Sequence, residues 1–201
     1  MNLPSKYLDQ AVEQLSSLPG IGKRTALRLA LQLLKRDVTE IQAFSDAISD
    51  LKTHTKQCKT CNNISDLEIC AICSNPSRDG SIICVVEDIR DVMAIESTHS
   101  FKGLYHVLGG IISPMDGIGP SDLYIDSLVK RIENGGVTEV IFALSPTMEG
   151  DTTNFYLYKK ISTFELLITT LSRGVSVGSE LQYADEVTLG RSLLQRQQFK
   201  I

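Results

Sequence analysis

Cys58-Lys59-Thr60-Cys61, eight further residues, then Cys70-Ala71-Ile72-Cys73: this stretch divides the chain and decides how the rest is read. Two Cys-x-x-Cys pairs at that separation bring four thiolates to one point, and a tetrahedral zinc is the ion such a set holds. The spacer Asn62 to Ile69 is just long enough to turn back. A compact button is expected, at the seam between a helical part and an alternating strand–helix part. Two disulfides, free buried thiols or an iron–sulfur cluster are the other readings of four cysteines. Nothing else looks secreted. Residues 1–10 lack the basic and apolar regions of a signal peptide, and no apolar run of about 18 residues exists to span a membrane. The expected compartment is the cytoplasm, which suits zinc thiolates better than disulfides.

The 201 residues suffice for one large or two small domains, and 42% hydrophobic with 22% charged residues is the composition of a globular protein. A net charge of −4 argues by itself against nucleic acid, but the charge is unevenly placed. Residues 1–57 hold eight Lys/Arg and six Asp/Glu, against 12 and 18 in the remainder. Lys23, Arg24, Arg28, Lys35 and Arg36 fall in residues 18–36 with no acid among them. Any nucleic-acid contact is therefore expected to be local.

Ahead of the cysteines, Ala11, Val12 and Leu15 predict a short amphipathic helix over Asp9 to Ser17. Leu18-Pro19-Gly20-Ile21-Gly22 breaks it, and a second helix runs from Arg24 to Arg36 with Ala26, Leu27, Ala30, Leu31 and Leu34 as its buried stripe. Helix, Gly-x-Gly hairpin, helix is the pattern of a helix-hairpin-helix module. Gly20 and Gly22 let backbone N–H groups approach a phosphate, and the second helix aims its positive end at the same spot. Lys23 and Arg24 add formal charge there, with Arg28 about one turn further on. The alternative is a plain helical hairpin with solvated bases. A P-loop does not fit, because Arg24 stands where Ser or Thr should hold magnesium and Ser17 where Gly is required. Ile41, Phe44, Ile48 and Leu51 predict a third helix that packs back on the first two.

Past the cysteines, apolar runs alternate with helical patterns. Ser81 to Val86, Leu104 to Leu108, Val137 to Leu144 and Phe164 to Leu171 read as strands. Helices are expected from Ile89 to Glu96, from Ser121 to about Glu133, from Thr152 to Ile161 and from Thr188 to Gln197. This alternation predicts a parallel α/β sheet. Cys84 reads as a small core residue, and His54, His99 and His106 as structural or surface groups. Glu87 and the pair Glu149-x-Asp151 follow strands of the same sheet. If those strands are neighbours, three carboxylates converge and can hold magnesium, as in phosphodiester chemistry. Solvated helix-start acids are the competing reading, and no nucleophile stands near them.

The whole resembles the RecR family of bacterial recombination mediators over nearly its full length. The resemblance rests on Leu18-Pro19-Gly20-Ile21-Gly22, the four spaced cysteines, Ile83-Cys84-Val85-Val86-Glu87, and Tyr105-His106-Val107-Leu108-Gly109-Gly110. Gly117-Ile118-Gly119-Pro120 and Tyr183-Ala184-Asp185-Glu186-Val187-Thr188-Leu189 extend it. It implies a helix-hairpin-helix DNA-binding region over 1–57, a four-cysteine zinc finger over 58–73, a Toprim domain over 81–177 and a C-terminal oligomerisation tail over 178–201. It also implies a homo-oligomer, a tetrameric ring around single-stranded or gapped DNA. The partners implied are RecO and, in many bacteria, RecF, for loading recombinase in a RecBC-independent pathway without turnover. A magnesium-dependent nuclease or primase-like Toprim enzyme is the alternative. Two positions depart from the family's usual pattern: Asp151 replaces a glutamate, and Ser176 stands where proline is usual.

Overall fold

The computed structural model describes residues 3–198. The chain divides into two compact units, Met1–Thr55 and Lys56–Ile201.

The first unit is helical. Helix α1 (Lys6–Ser16) starts a turn earlier than its apolar pattern predicts, because the Ser5 hydroxyl accepts from the Leu8 N–H and caps it. Helix α2 (Lys23–Leu33) packs on α1 through Val12, Ala26 and Ala30, with Leu8, Leu15, Ile21 and Leu27 around them. The two alanines on α2 leave room for close approach. The α2 helix stops short of Arg36, its end tightening into turns in which Lys35 N–H donates to Gln32 O and Arg36 N–H to Leu33 O. Helix α3 (Val38–His54) differs from expectation. No α3 residue is buried, and Phe44, Ile48 and Leu51 are 45%, 56% and 66% exposed. The core between α1 and α2 is filled by their own side chains, so the α3 stripe does not pack back on them.

The second unit opens with the two-stranded hairpin β1 (Lys56–Gln57) and β2 (Ile64–Ser65), which carries the cysteine button. The button therefore belongs to the α/β unit. Strand β3 (Asp79–Val86), helix α4 (Ile89–Ser97) and strand β4 (Gly103–Val107) follow. Helix α5 (Ile125–Glu133), strand β5 (Glu139–Phe142), helix α6 (Met148–Ile161), strand β6 (Leu167–Thr170) and helix α7 (Glu186–Leu194) complete the order. The larger sheet has strand order β4-β3-β5-β6, and every pair is parallel.

Strand periodicity sorts the core into two layers. Ile83 and Val85 of β3 join Val140, Phe142, Leu128, Ile132, Leu157 and Ile161 on the side covered by α5 and α6. Cys84 and Val86 face the other way, with Tyr105, Val107 and Val92 of α4. Burial on both faces is why β3 reads as an unbroken apolar run. Cys84 is a core residue as predicted, and burial pushes its thiol up to about 12.

Two helix starts differ from the sequence reading. Pro120–Asp122 forms a 3-10 turn in which Asp122 accepts from the Gly119 N–H, so α5 begins at Ile125 and Ser121 is not its cap. Helix α6 begins at Met148, capped by the Thr147 hydroxyl accepting from Gly150 N–H. The loop before α5 is ordered: Ser113 and Ile118 form a bridge, and the Ile112 N–H donates to the buried Thr153 hydroxyl of α6. Among the described residues no helix is long and apolar enough to cross a membrane.

Gly150 sets how closely α6 approaches the end of β5. A Cβ there would lie 1.9 Å from the Ser145 carbonyl oxygen, a backbone atom with no freedom to retreat. Gly150→Ala is expected to destabilise the α/β unit by on the order of 3 kcal/mol. Denaturant titration reads this directly, and a variant as stable as the parent would contradict the packing described.

Candidate metal centre and nucleic-acid hairpin

Each Cys-x-x-Cys pair forms a turn that aims backbone N–H groups at sulfur. Asn62 N–H donates to Cys58 O at 2.9 Å, and Asn62 closes the first knuckle with a left-handed φ of 60°. The Cys70 N–H donates to Cys58 Sγ at 3.3 Å and the Cys73 N–H to Cys70 Sγ at 3.4 Å. The four Sγ atoms lie within 4.8 Å of one another, and no disulfide joins them. The Cys61 and Cys70 sulfurs are 3.6 Å apart. A tetrahedral zinc with bonds of about 2.3 Å sets its sulfurs about 3.8 Å apart, so the cage fits the ion.

The electrostatics call for a cation. Burial raises the Cys58 thiol, but N–H donors from Cys70, Thr60 and Cys61 outweigh it and bring the pKa down to about 6. Cys61 is pushed strongly upward by its contact with Cys73 and by burial, and burial also raises Cys70. One thiolate is ready to form, while its neighbours resist further negative charge. Zinc supplies the compensating charge that lets all four ionise.

The button is fastened to the sheet. The Val107 N–H of β4 donates to the Cys61 carbonyl at 2.8 Å. The Asn62 amide donates to the Ser127 hydroxyl of α5 at 3.1 Å, and the Tyr124 hydroxyl donates to Gln57 at 3.0 Å. Beneath them His106, fully buried, donates from Nε2 to the Tyr124 carbonyl at 2.8 Å. Burial drives its pKa down to about 4, so it is neutral there. His106 is the structural residue expected from sequence, and His54 and His99 are exposed.

In the helical unit, Gly20 has φ 78° and turns the chain after Leu18, whose carbonyl accepts from the Ile21 N–H at 3.1 Å. Gly22 is the N-cap of α2 and carries no side chain to occupy the first N–H groups of the helix. A Cβ at either glycine would meet open space, so nothing crowds this face. Lys23, Arg24 and Arg28 are exposed, and among the described residues none of them is ion-paired.

The three carboxylates do not gather. β3 and β5 are neighbours, as convergence requires, yet only the cysteines bring three or more ligand atoms within 4.8 Å among the described residues. The reason is helix geometry. Because α6 begins at Met148, Glu149 and Asp151 sit two apart on a helix and face different directions. Glu149 is exposed. Asp151 is paired with Arg173, and Arg191 stands 4.0 Å away. Glu87 is half-buried and accepts from the Ser145 hydroxyl at 3.4 Å. Burial, then Asp91 and Asp88, raises its pKa. Sequence reasoning misses Asn62, Arg173 and Arg191, since an isolated Asn or Arg carries no spacing signal.

Losing one zinc ligand should unfold the button and loosen what it is tied to. Structural zinc contributes on the order of 10–16 kcal/mol, comparable to a domain's whole stability. Cys70→Ser is expected to give metal-free, poorly folded protein, whereas Cys84→Ser keeps one zinc per chain. Elemental analysis with thermal melting checks both, and a soluble, cooperative, metal-free Cys70→Ser protein would sink the assignment.

Comparison with known proteins agrees with this geometry. The family described as RecR, helix-hairpin-helix, matches residues 8–52, and the four-cysteine zinc finger domain of RecR matches 55–75. The Toprim domain matches 81–172, and RecR, C-terminal, matches 174–197. Recombination protein RecR of Bacteroides thetaiotaomicron is 59% identical over 98% of this chain and 96% of its own length. Recombination protein RecR of Parabacteroides distasonis is 59% identical, covering 98% and 95%, and that of Flavobacterium johnsoniae 57%, covering 100% and 97%. With a four-cysteine zinc site, a helix-hairpin-helix and a parallel Toprim sheet in one chain, at this identity over nearly the full length, the chain belongs to the RecR family of recombination proteins.

Proposed function

We propose that the protein is a non-enzymatic recombination mediator. It binds single-stranded or gapped DNA through Gly20, Gly22, Lys23, Arg24 and Arg28, and it works in the cytoplasm with RecO, and with RecF where present, to load recombinase. The observation that carries the DNA reading is the start of α2. The Gly22 cap leaves helix N–H groups without a side-chain partner, and three exposed cations surround them with no acid paired to any among the described residues. A phosphate satisfies the N–H groups, the helix dipole and the cations together.

In this reading 1–57 is the DNA-binding region, 58–73 the zinc finger, 81–177 the Toprim platform and 178–201 the tail. Residues 199–201 of that tail lie outside the described residues. The chain works as a homo-oligomer, a four-membered ring. The unpartnered apolar stripe of α3 supports self-association, since an isolated helix gains nothing from exposing Phe44, Ile48 and Leu51. A docking role for the Toprim carboxylates is supported over phosphodiester chemistry, because Glu87, Glu149 and Asp151 do not gather within 4.8 Å of one another and Asp151 already holds a guanidinium. Zinc is structural in this scheme.

The DNA reading is tested with Lys23→Gln/Arg24→Gln. Each lost phosphate contact on single strands flattens the slope of log K against log salt by about 0.7, so the double variant should flatten it by about 1.4. Affinity should fall for all sequences alike, with zinc content and oligomer mass unchanged. An unaltered slope would reduce the patch to a solvated face.

A further inference from the structure

Asp151 is occupied from within the chain. Arg173, three residues beyond β6, places Nη1 3.1 Å from Oδ2 and Nη2 against Oδ1, a two-pronged grip. Arg191 of α7 stands 4.0 Å from the same carboxylate. These arginines mark the two ends of one segment: Arg173 where the chain leaves the sheet, Arg191 on its last helix. Arg173 is thus clasped to α6 at that carboxylate, with Arg191 close by. The neighbouring Arg173 holds the Asp151 pKa below its ordinary value, so the carboxylate is charged whenever the clasp is closed near neutral pH.

Beside the clasp lies a cavity of about 490 Å³. Phe142, Leu144, Leu171 and Val187 supply its apolar wall, and Arg173 and Arg191 its polar side. That volume is in the range of ordinary ligand pockets and is ample for one or two apolar side chains. Asp185, also lining it, is engaged as the α7 cap, accepting from the Thr188 N–H at 2.8 Å. Asp151 is therefore the carboxylate whose partner can be exchanged. The Arg173 and Asp151 side chains are 25% and 45% exposed. With nearly half of the Asp151 side chain open to water, the pair is partly screened and a second cation has access to the carboxylate. Glu149, exposed and without an ion-pair partner among the described residues, adds negative charge close by in sequence at the start of the same helix.

We propose that the Arg173–Asp151 contact is an internal mask over a docking surface: Arg173 holds in cis the place that a partner protein's arginine takes, and the partner docks by displacing the tail. The partner segment carries an arginine beside an apolar side chain. Its guanidinium passes to Asp151 and its apolar side chain takes the tail's place against Phe142, Leu144 and Leu171, the part of the cavity wall that stays behind, while Glu149 draws the basic segment in. The contact made by Arg173 is the direct indication of what Asp151 accepts. This inference rests on the reading that the Toprim unit docks a protein partner, and it adds how that docking is restrained. A mask lowers apparent affinity by the fraction of molecules in which it is closed, and removing it restores that fraction.

The test uses the full-length, zinc-loaded protein and purified RecO as the probe, with binding followed by calorimetry. Glu149→Gln should weaken RecO binding, whereas Arg173→Gln should bind about two- to fivefold tighter, the range a weak, exposed ion pair allows. Arg173→Lys, which keeps the charge but not the fork, should fall between Arg173→Gln and the parent. Hydrogen exchange over residues 174–194 should rise in the parent when RecO is added and be already raised in Arg173→Gln. Unchanged zinc content and a cooperative thermal melt show that each variant is folded. If Glu149→Gln weakens binding but Arg173→Gln binds no tighter, docking stands and the mask is overturned. If neither substitution changes RecO binding, the docking reading falls, and the mask with it.

Discussion

The hydrogen bond from the Val107 N–H to the Cys61 carbonyl is the contact on which the larger unit depends. β4 lies at one end of the sheet order, so among the described residues one side of it faces no strand. On its inner side it pairs with β3, and on its outer side the first cysteine knuckle takes the place of a strand. Arg131 covers the next stretch of that edge by donating to the Tyr105 carbonyl at 2.6 Å. An open edge is a template for unwanted pairing, and here it is closed by a metal-held turn. Beyond the sulfurs only Ile72 is packed in the button's core among the described residues, and its Ile64, Leu67 and Ile69 are exposed. Zinc is what keeps its backbone in position to do this.

This arrangement explains why the metal sits with the sheet and not between two halves of the chain. It also explains the left-handed Asn62. A residue at φ 60° ends the knuckle sharply, and glycine or asparagine tolerates that conformation best. Asparagine adds an amide that reaches Ser127, which glycine cannot do. The same residue thus ends the turn and ties it to α5.

Much of this was legible in the chain because its signals are local. The cysteine spacing named the ligands, and the run Ile83 to Val86 named a strand buried on both faces. Gly20 and Gly22 named the hairpin. What stayed hidden depended on partners distant in sequence or on a cap. Ser5 and Thr147 moved helix starts by a turn. The start at Met148 then separated Glu149 from Asp151, which an extended segment would have presented differently. The stripe Ile41, Phe44, Ile48, Leu51 correctly marked a helix, but periodicity says only that a face wants covering, not that its own unit covers it. Arg173 reaches Asp151 across 22 residues, a pairing no spacing rule anticipates.

The two units divide the chemistry. The helical unit offers uncapped N–H groups and exposed cations, and the α/β unit offers acids whose charge is held in check, Glu87 by burial and Asp91, Asp151 by Arg173. Zinc serves the second unit by closing its edge, and that claim can be measured one amide at a time. Amide exchange by NMR on the zinc-loaded protein, repeated after chelation, distinguishes Val107 from Leu108. Val107 N–H points to Cys61, whereas Leu108 N–H donates to Val86 inside the sheet at 2.9 Å. The account predicts that removing zinc strips protection from Val107 first and leaves Leu108 protected for longer. Val107 protection that survives loss of the metal would contradict it.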